Sequence, residues 1–386
     1  MKFPIYLDYN ATTPVDKRVG DAMLPFFTDV FGNAASNNHF YGWQAAEAVQ
    51  IAREQVASLI NANHKEIVFT SGATEAINLA IKGIYKAYRK KGDHIITCTT
   101  EHNAVLDTCR YLEKEGARVS YIPVHDNGEI NLQFLEEAIT PSTILIAVMY
   151  ANNETGVIHP IKKIAAIAKE KNVVFFSDAT QAAGKIGVDV LNDGIDMLCM
   201  SAHKIYGPKG VGVLYVKSKS PRIQLEPLIH GGGHENNLRS GTLNVPGIVG
   251  FGKACEICRD EFGVNDEIKK LHYQLEKNLL TITGSFINGF DALRLPNTTN
   301  IIFRSVDKNA LLSSLTKKIA ISTGSACTSA KPQPSHVLSA MGLSEDLASS
   351  AIRISIGRYT SQEDINFASA YIVEVVETLR HEKYKV

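Results

Sequence analysis

Between residues 66 and 216 the chain alternates short, continuously apolar runs rich in β-branched residues with helical patterns, and no other feature restricts the fold as strongly. The runs that read as strands cover 66–70, 94–98, 119–122, 144–149, 173–177, 195–200 and 212–216, and helical segments such as 161–171 lie between several of them. A strand that is apolar at every position must be covered on both faces, and helices between consecutive strands supply that cover in a mostly parallel sheet. The fold class expected is therefore α/β, with a mostly parallel sheet in a large domain. Ligands of such sheets lie beyond the carboxyl ends of the strands, so chemistry is to be sought there.

After the glycine-rich stretch 230–252 the pattern changes. A long helical segment, about 245–280, leads to strands near 300–303 and 351–356 and to amphipathic helices that include 362–380. This predicts a smaller α+β domain built from residues 1–14 and 259–386, beside a large domain over 15–258. The balance of 40 basic against 40 acidic residues gives no reason to expect nucleic acid or an anionic membrane as partner. The basic cluster Lys86-Ala-Tyr-Arg-Lys-Lys91 reads as a solvated helix end. No run of about 18 apolar residues exists, and the N-terminal apolar stretch is too short for a signal peptide. Six cysteines in 386 residues without an export signal point to free thiols and a cytoplasmic location.

Three strand ends belong together. The run 173–177 ends in Asp178-Ala-Thr-Gln181, and the run 195–200 ends in Ser201-Ala-His-Lys204. If these strands are parallel, Asp178 and Lys204 open at the same sheet edge. A lysine able to form a Schiff base, with an acid that keeps a pyridinium nitrogen protonated, is what pyridoxal 5′-phosphate requires. A salt bridge at the sheet edge is the competing reading of the pair. Val68-Phe-Thr-Ser-Gly-Ala-Thr-Glu75 is a strand, a turn of small residues and a helix start, whose free N–H groups, with the Ser71 and Thr74 hydroxyls, suit a phosphate or a plain N-cap. His102, in Thr100-Glu-His102 just after the run 94–98, could stack on a flat ring and move protons, or serve as a surface cap.

Cys327 stands apart from the other cysteines. Cys98 and Cys199 lie inside apolar strands, Cys109 lies on a helix, and Cys255 and Cys258 form a Cys-x-x-Cys pair in a helical context with no second pair to complete a zinc site. Cys327 lies in Ser322-Thr-Gly-Ser-Ala-Cys-Thr-Ser329, a stretch of small residues that suits an accessible, mobile loop. Arg353, in an alternating Ala-Ile-Arg-Ile-Ser-Ile strand, could bind a carboxylate through two hydrogen bonds or be an ordinary exposed arginine.

The chain resembles cysteine desulfurases of the NifS/IscS type, which are class-V aminotransferase-like enzymes of pyridoxal-phosphate fold type I. The resemblance rests on segments in order over nearly the whole chain: Tyr6-Leu-Asp-Tyr-Asn-Ala-Thr-Thr-Pro14, Thr70-Ser-Gly-Ala-Thr-Glu75, Thr100-Glu-His102, Asn152-Asn-Glu-Thr-Gly156, Asp178-Ala-Thr-Gln181, Ser201-Ala-His-Lys-Ile-Tyr-Gly-Pro-Lys-Gly210, His230-Gly-Gly-Gly-His-Glu235, Arg239-Ser-Gly-Thr242 and Ser325-Ala-Cys-Thr-Ser329. It implies that Lys204 is the Schiff-base lysine, Asp178 the partner of the ring nitrogen, and His102 the stacking residue and acid/base. It further implies that Gln181 approaches the phenolic oxygen, and that Ala73, Thr74, Ser201 and His203 hold the phosphate with Thr242 of the second subunit of a homodimer. Asn153 and Arg353 would bind near the substrate, Arg353 on its carboxylate.

The implied reaction converts L-cysteine to L-alanine and leaves the sulfur on Cys327 as a persulfide. The loop at about 322–335 would then deliver it to an iron-sulfur scaffold protein or to other acceptors, tRNA thiolation among them. No metal of its own is implied, although Cys327 could share a transient [2Fe–2S] cluster with a scaffold. A selenocysteine lyase or an aminotransferase of the same fold would use the same lysine and aspartate, and an inactive interaction protein would need neither Lys204 nor Cys327. Two departures from the pattern are Ala34, where many relatives have proline, and an end at Lys383-Tyr-Lys-Val386, where relatives often continue into a scaffold-docking tail.

Overall fold

The structure is a computed structural model that describes residues 3–322 and 334–383. Its strands are β1 (Ile5–Tyr6), β2 (Ile67–Thr70), β3 (His94–Cys98), β4 (Arg118–Ile122), β5 (Thr143–Ala147), β6 (Val174–Asp178), β7 (Met197–Ser201), β8 (Gly212–Val216), β9 (Ser285–Ile287), β10 (Thr298–Phe303), β11 (Ile319–Ala320) and β12 (Ala351–Ser355). Seven of them form one sheet in the order β2-β8-β7-β6-β5-β3-β4. The β4, β3, β5, β6 and β7 strands run parallel, whereas β8 is antiparallel to both β7 and β2. A parallel return needs a crossover of a dozen or more residues, and the residues 202–211 between β7 and β8 are too few.

β3 and β5 through β8 are buried at every position, and two cores cover the faces of the sheet. On one face pack the helices Phe40–Leu59, Ile161–Glu170 and Val245–Asp260; on the other pack Ala73–Ala87 and Asn103–Lys114. The Phe40–Leu59 and Val245–Asp260 helices meet closely because Gly252 has no side chain: a Cβ there would lie 2.5 Å from the Ala52 Cα. The helix expected over about 245–280 is two helices, Val245–Asp260 and Val264–Leu279. The break at 261–263 lets the first pack on the large sheet, while Ile268, Leu275 and Leu279 of the second join Ile365, Ile372 and Val376 of the C-terminal helix in a separate core. That core backs the antiparallel sheet β12-β10-β9.

The N-terminal segment ties the two parts together. β1 pairs with β11, Tyr9 N–H donates to the Ser355 carbonyl (3.2 Å), and Thr13 N–H donates to the His203 carbonyl (2.9 Å). Residues 9–13 thus cross from the small sheet to the carboxyl end of β7. Among the described residues no helix is long and apolar enough to cross a membrane.

Candidate active site

The carboxyl ends of the parallel strands open into a cavity of about 720 Å³. Ala73, Thr74, His102, Asn153, Asp178, Gln181, Ser201, His203, Lys204 and Arg353 all line it. Of the candidate residues, Thr242 is exposed and lies outside this lining, and Cys327 lies outside the described residues. Ser322 and His336, described residues before and after it in sequence, do line the cavity. Ser322 is fixed there by a two-way main-chain pairing with Arg353 (2.7 and 3.2 Å), and His336 Nε2 lies 2.9 Å from the Glu101 carbonyl.

Asp178 ends β6 and is buried, its Oδ1 accepting from the Thr180 N–H (2.9 Å) and the Cys199 thiol (3.3 Å). Lys204 follows β7 on a single 3₁₀ turn, Ala202–Lys204, and its Nζ donates to the main-chain carbonyls of Asn10 (2.6 Å) and Ala11 (2.8 Å). Burial is the chief reason that its pKa falls to about 8, helped by the positive charge of Arg353 and opposed by Asp178 and Asp8. The amine is therefore far more often neutral near pH 7 than an exposed lysine, as a nucleophile toward a carbonyl must be.

The start of the Ala73–Ala87 helix forms one wall. Gly72 caps it with no side-chain hydrogen bond, and among the described residues nothing takes the N–H groups of Ala73 and Thr74. Those orphan donors and the helix dipole suit a phosphate. Ser201 and His203 stand opposite, with His203 Nδ1 3.1 Å from the Thr12 hydroxyl. Burial, with Lys204 and Lys209 nearby, holds the His203 pKa at about 4, so the ring is neutral.

His102 is the N-cap of the Asn103–Lys114 helix, its Nδ1 accepting from the Ala104 N–H (3.1 Å). That bond places the proton of the neutral ring on Nε2. Arg353 is 4% exposed, not the ordinary exposed strand arginine that its sequence context also allowed. Its Nη2 pairs with Asp8 (2.7 Å), its Nη1 donates to the Asn153 carbonyl (3.1 Å), and among the described residues its buried Nε has no partner. A buried guanidinium N–H of that kind beside a cavity suits a ligand oxygen.

Sequence reasoning missed several residues here. Asn10, Thr12, Lys209 and His336 also line the cavity, and Lys185 lies just behind it. Asn10 and Thr12 fall within a motif already noted, but nothing in the sequence tells that this segment crosses the sheet edge.

Residues 5–367 match the aminotransferase class-V family. The cysteine desulfurase IscS of Anaeromyxobacter sp. (strain Fw109-5) is 51% identical over 387 residues, covering 98% of this chain and 94% of that protein. Among solved structures, a NifS-like protein superposes with a TM-score of 0.90 at 38% identity, covering 98% of this chain and all of that one. SspA in complex with cysteine superposes with a TM-score of 0.81 at 39% identity, over 92% of this chain and all of that one.

Proposed function

Because the chain belongs to the aminotransferase class-V family and is a cysteine desulfurase, we propose that it holds pyridoxal 5′-phosphate through Lys204 and passes the sulfur of L-cysteine to Cys327. The observation that carries this reading is the meeting of Lys204, Asp178 and a helix start without a side-chain cap around one cavity. The residues fit the cofactor: free N–H groups of Ala73 and Thr74 with Ser201 and His203 for the phosphate, and the Asp178 carboxylate for the ring nitrogen. Gln181 Nε2 has one N–H on the Asn10 carbonyl (3.0 Å) and a second for the phenolic oxygen. Bound there, the cofactor supplies an electron sink for charge that develops at the substrate's α-carbon.

The chain's own residues do the rest. Arg353, steadied by Asp8 and the Asn153 carbonyl, takes the α-carboxylate of cysteine. His102 moves protons through Nε2, since its Nδ1 is engaged by the helix. The sulfur acceptor is Cys327 by exclusion as well as by resemblance: Cys98, Cys109, Cys199, Cys255 and Cys258 are all buried, and burial raises every one of their thiol pKa values. Cys327 is five residues from Ser322, a chain span of at most about 18 Å, and so within reach of the cavity.

The protein acts as a homodimer in the cytoplasm and hands the persulfide sulfur to an iron-sulfur scaffold or another acceptor protein. The dimer is supported by the exposed aromatic rings of Phe27, Phe31, Phe40 and Trp43, which a lone chain leaves in water, and by the exposed Thr242. The test is borohydride reduction of the holoenzyme followed by peptide mapping. The pyridoxyl group is expected on the Lys204 peptide and absent from Lys204→Ala; finding it on Lys185 or Lys209 instead refutes the assignment.

A further inference from the structure

Lys185 has no role in the reaction as described, yet it is a half-buried lysine behind the cavity, and among the described residues no carboxylate pairs with it. Its Nζ donates to Gln181 Oε1 (2.7 Å) and to Asn10 Oδ1 (3.0 Å). Each acceptor belongs to a residue that reaches the site. Gln181 turns its Nε2 to the Asn10 main-chain carbonyl, which also accepts from Lys204 Nζ. Asn10 uses its own Nδ2 on Thr298 Oγ1 (2.9 Å) and on the Asn153 carbonyl (3.2 Å), the same carbonyl that Arg353 holds.

An amide side chain is symmetric in shape, so only its partners decide which end is the donor. For Asn10 that decision is made by two donors at Oδ1, Lys185 and Asn297, and two acceptors at Nδ2. For Gln181, Lys185 is the donor at Oε1. We propose that Lys185 is a positioning residue: its amine fixes the Gln181 amide with the N–H end toward the cofactor and locks the Asn10 turn that carries Lys204 and Arg353 contacts. This rests on the reading of the cavity as the pyridoxal-phosphate site. Burial, with the charges of Lys204 and Arg353, pushes the Lys185 amine well below the lysine range. Two acceptors, Gln181 Oε1 and Asn10 Oδ1, face that amine.

A methionine would fill the same space without the donors, which separates positioning from mere packing. Lys185→Met, Gln181→Ala and the double variant are prepared as holoenzymes, and the visible band of the bound cofactor is titrated with pH. Each is then stripped and its affinity for pyridoxal phosphate is measured. K185M is expected to move the titration midpoint in the same direction as Q181A, to weaken the cofactor roughly tenfold, and to add nothing in the Q181A background, since coupled neighbours are non-additive. Lys185→Gln, which keeps an N–H donor group on a shorter side chain, is expected to give a smaller shift that also vanishes in that background. A K185M protein that titrates like wild type while Q181A shifts overturns the proposal, as does a K185M or K185Q effect that persists undiminished beside Q181A. If Q181A itself behaves as wild type, the underlying reading of the cavity is what has failed.

Discussion

The most exacting consequence of the site concerns the charge state of Lys204. Enclosure in the cavity wall, with Arg353 close by, brings its pKa from 10.5 to about 8. At pH 7 about a tenth of the amine is then neutral, against about 0.03% for an ordinary lysine, a gain of about 300-fold in nucleophile. The perturbation is pH itself, applied to the cofactor-free protein as it captures pyridoxal phosphate in a stopped-flow spectrophotometer. The second-order rate constant should rise about tenfold from pH 6 to 7, reach half its maximum near pH 8 and level off above about 9. Arg353→Met removes a charge that depresses the pKa, so its midpoint should move upward. The same shift has a sign for stability. The folded pKa lies below the unfolded one, so the buried ammonium costs about 3 kcal/mol below pH 8, a cost relieved as pH rises from 8 to 10.5. A capture rate still rising tenfold per unit between pH 9 and 10 would refute the reasoning, because the amine would then titrate as though in water.

Two further predictions follow from single contacts. Arg353→Lys keeps a positive charge but loses the planar fork and the donor to the Asn153 carbonyl, so KM for cysteine should rise about 10- to 100-fold with a smaller change in kcat; an unchanged KM speaks against Arg353 as the carboxylate site. Glu235→Ala should lower unfolding free energy by about 3–5 kcal/mol in chemical denaturation, because it leaves the half-buried Arg53 guanidinium without its carboxylate and the Phe69 N–H without its acceptor (2.6 and 2.7 Å); a loss under about 1 kcal/mol contradicts this.

The sheet was legible because its strands are apolar at every position, a pattern that only a two-sided core accommodates. Asp178 and Lys204 were legible for the same reason: one closes such a run and the other comes a short turn after the next, so parallel pairing of β6 with β7 brings them to one edge. The end of β5 was set two residues too late because the apolar run continues through Val148 and Met149, while the Met149 N–H turns to the Glu101 carboxylate (2.7 Å). The two-helix structure of 245–279 was hidden because the amphipathic pattern resumes after the three-residue break, facing a different core. Asn10 and Lys185 were out of reach for another reason. They are 175 residues apart in sequence and meet only because the N-terminal strand pairs with β11 and so lays the following segment across the end of β7.

If Lys204 and Cys327 act as proposed, sulfur leaves free cysteine at the Lys204 cavity and comes to rest on Cys327. Intact-mass analysis after incubation with L-cysteine, with the adduct mapped by peptide and alanine assayed in parallel, tests it directly. One added sulfur on Cys327, matched by alanine and absent from Cys327→Ala, is the predicted result; alanine turnover undiminished in Cys327→Ala, or the sulfur mapped to another cysteine, would contradict it.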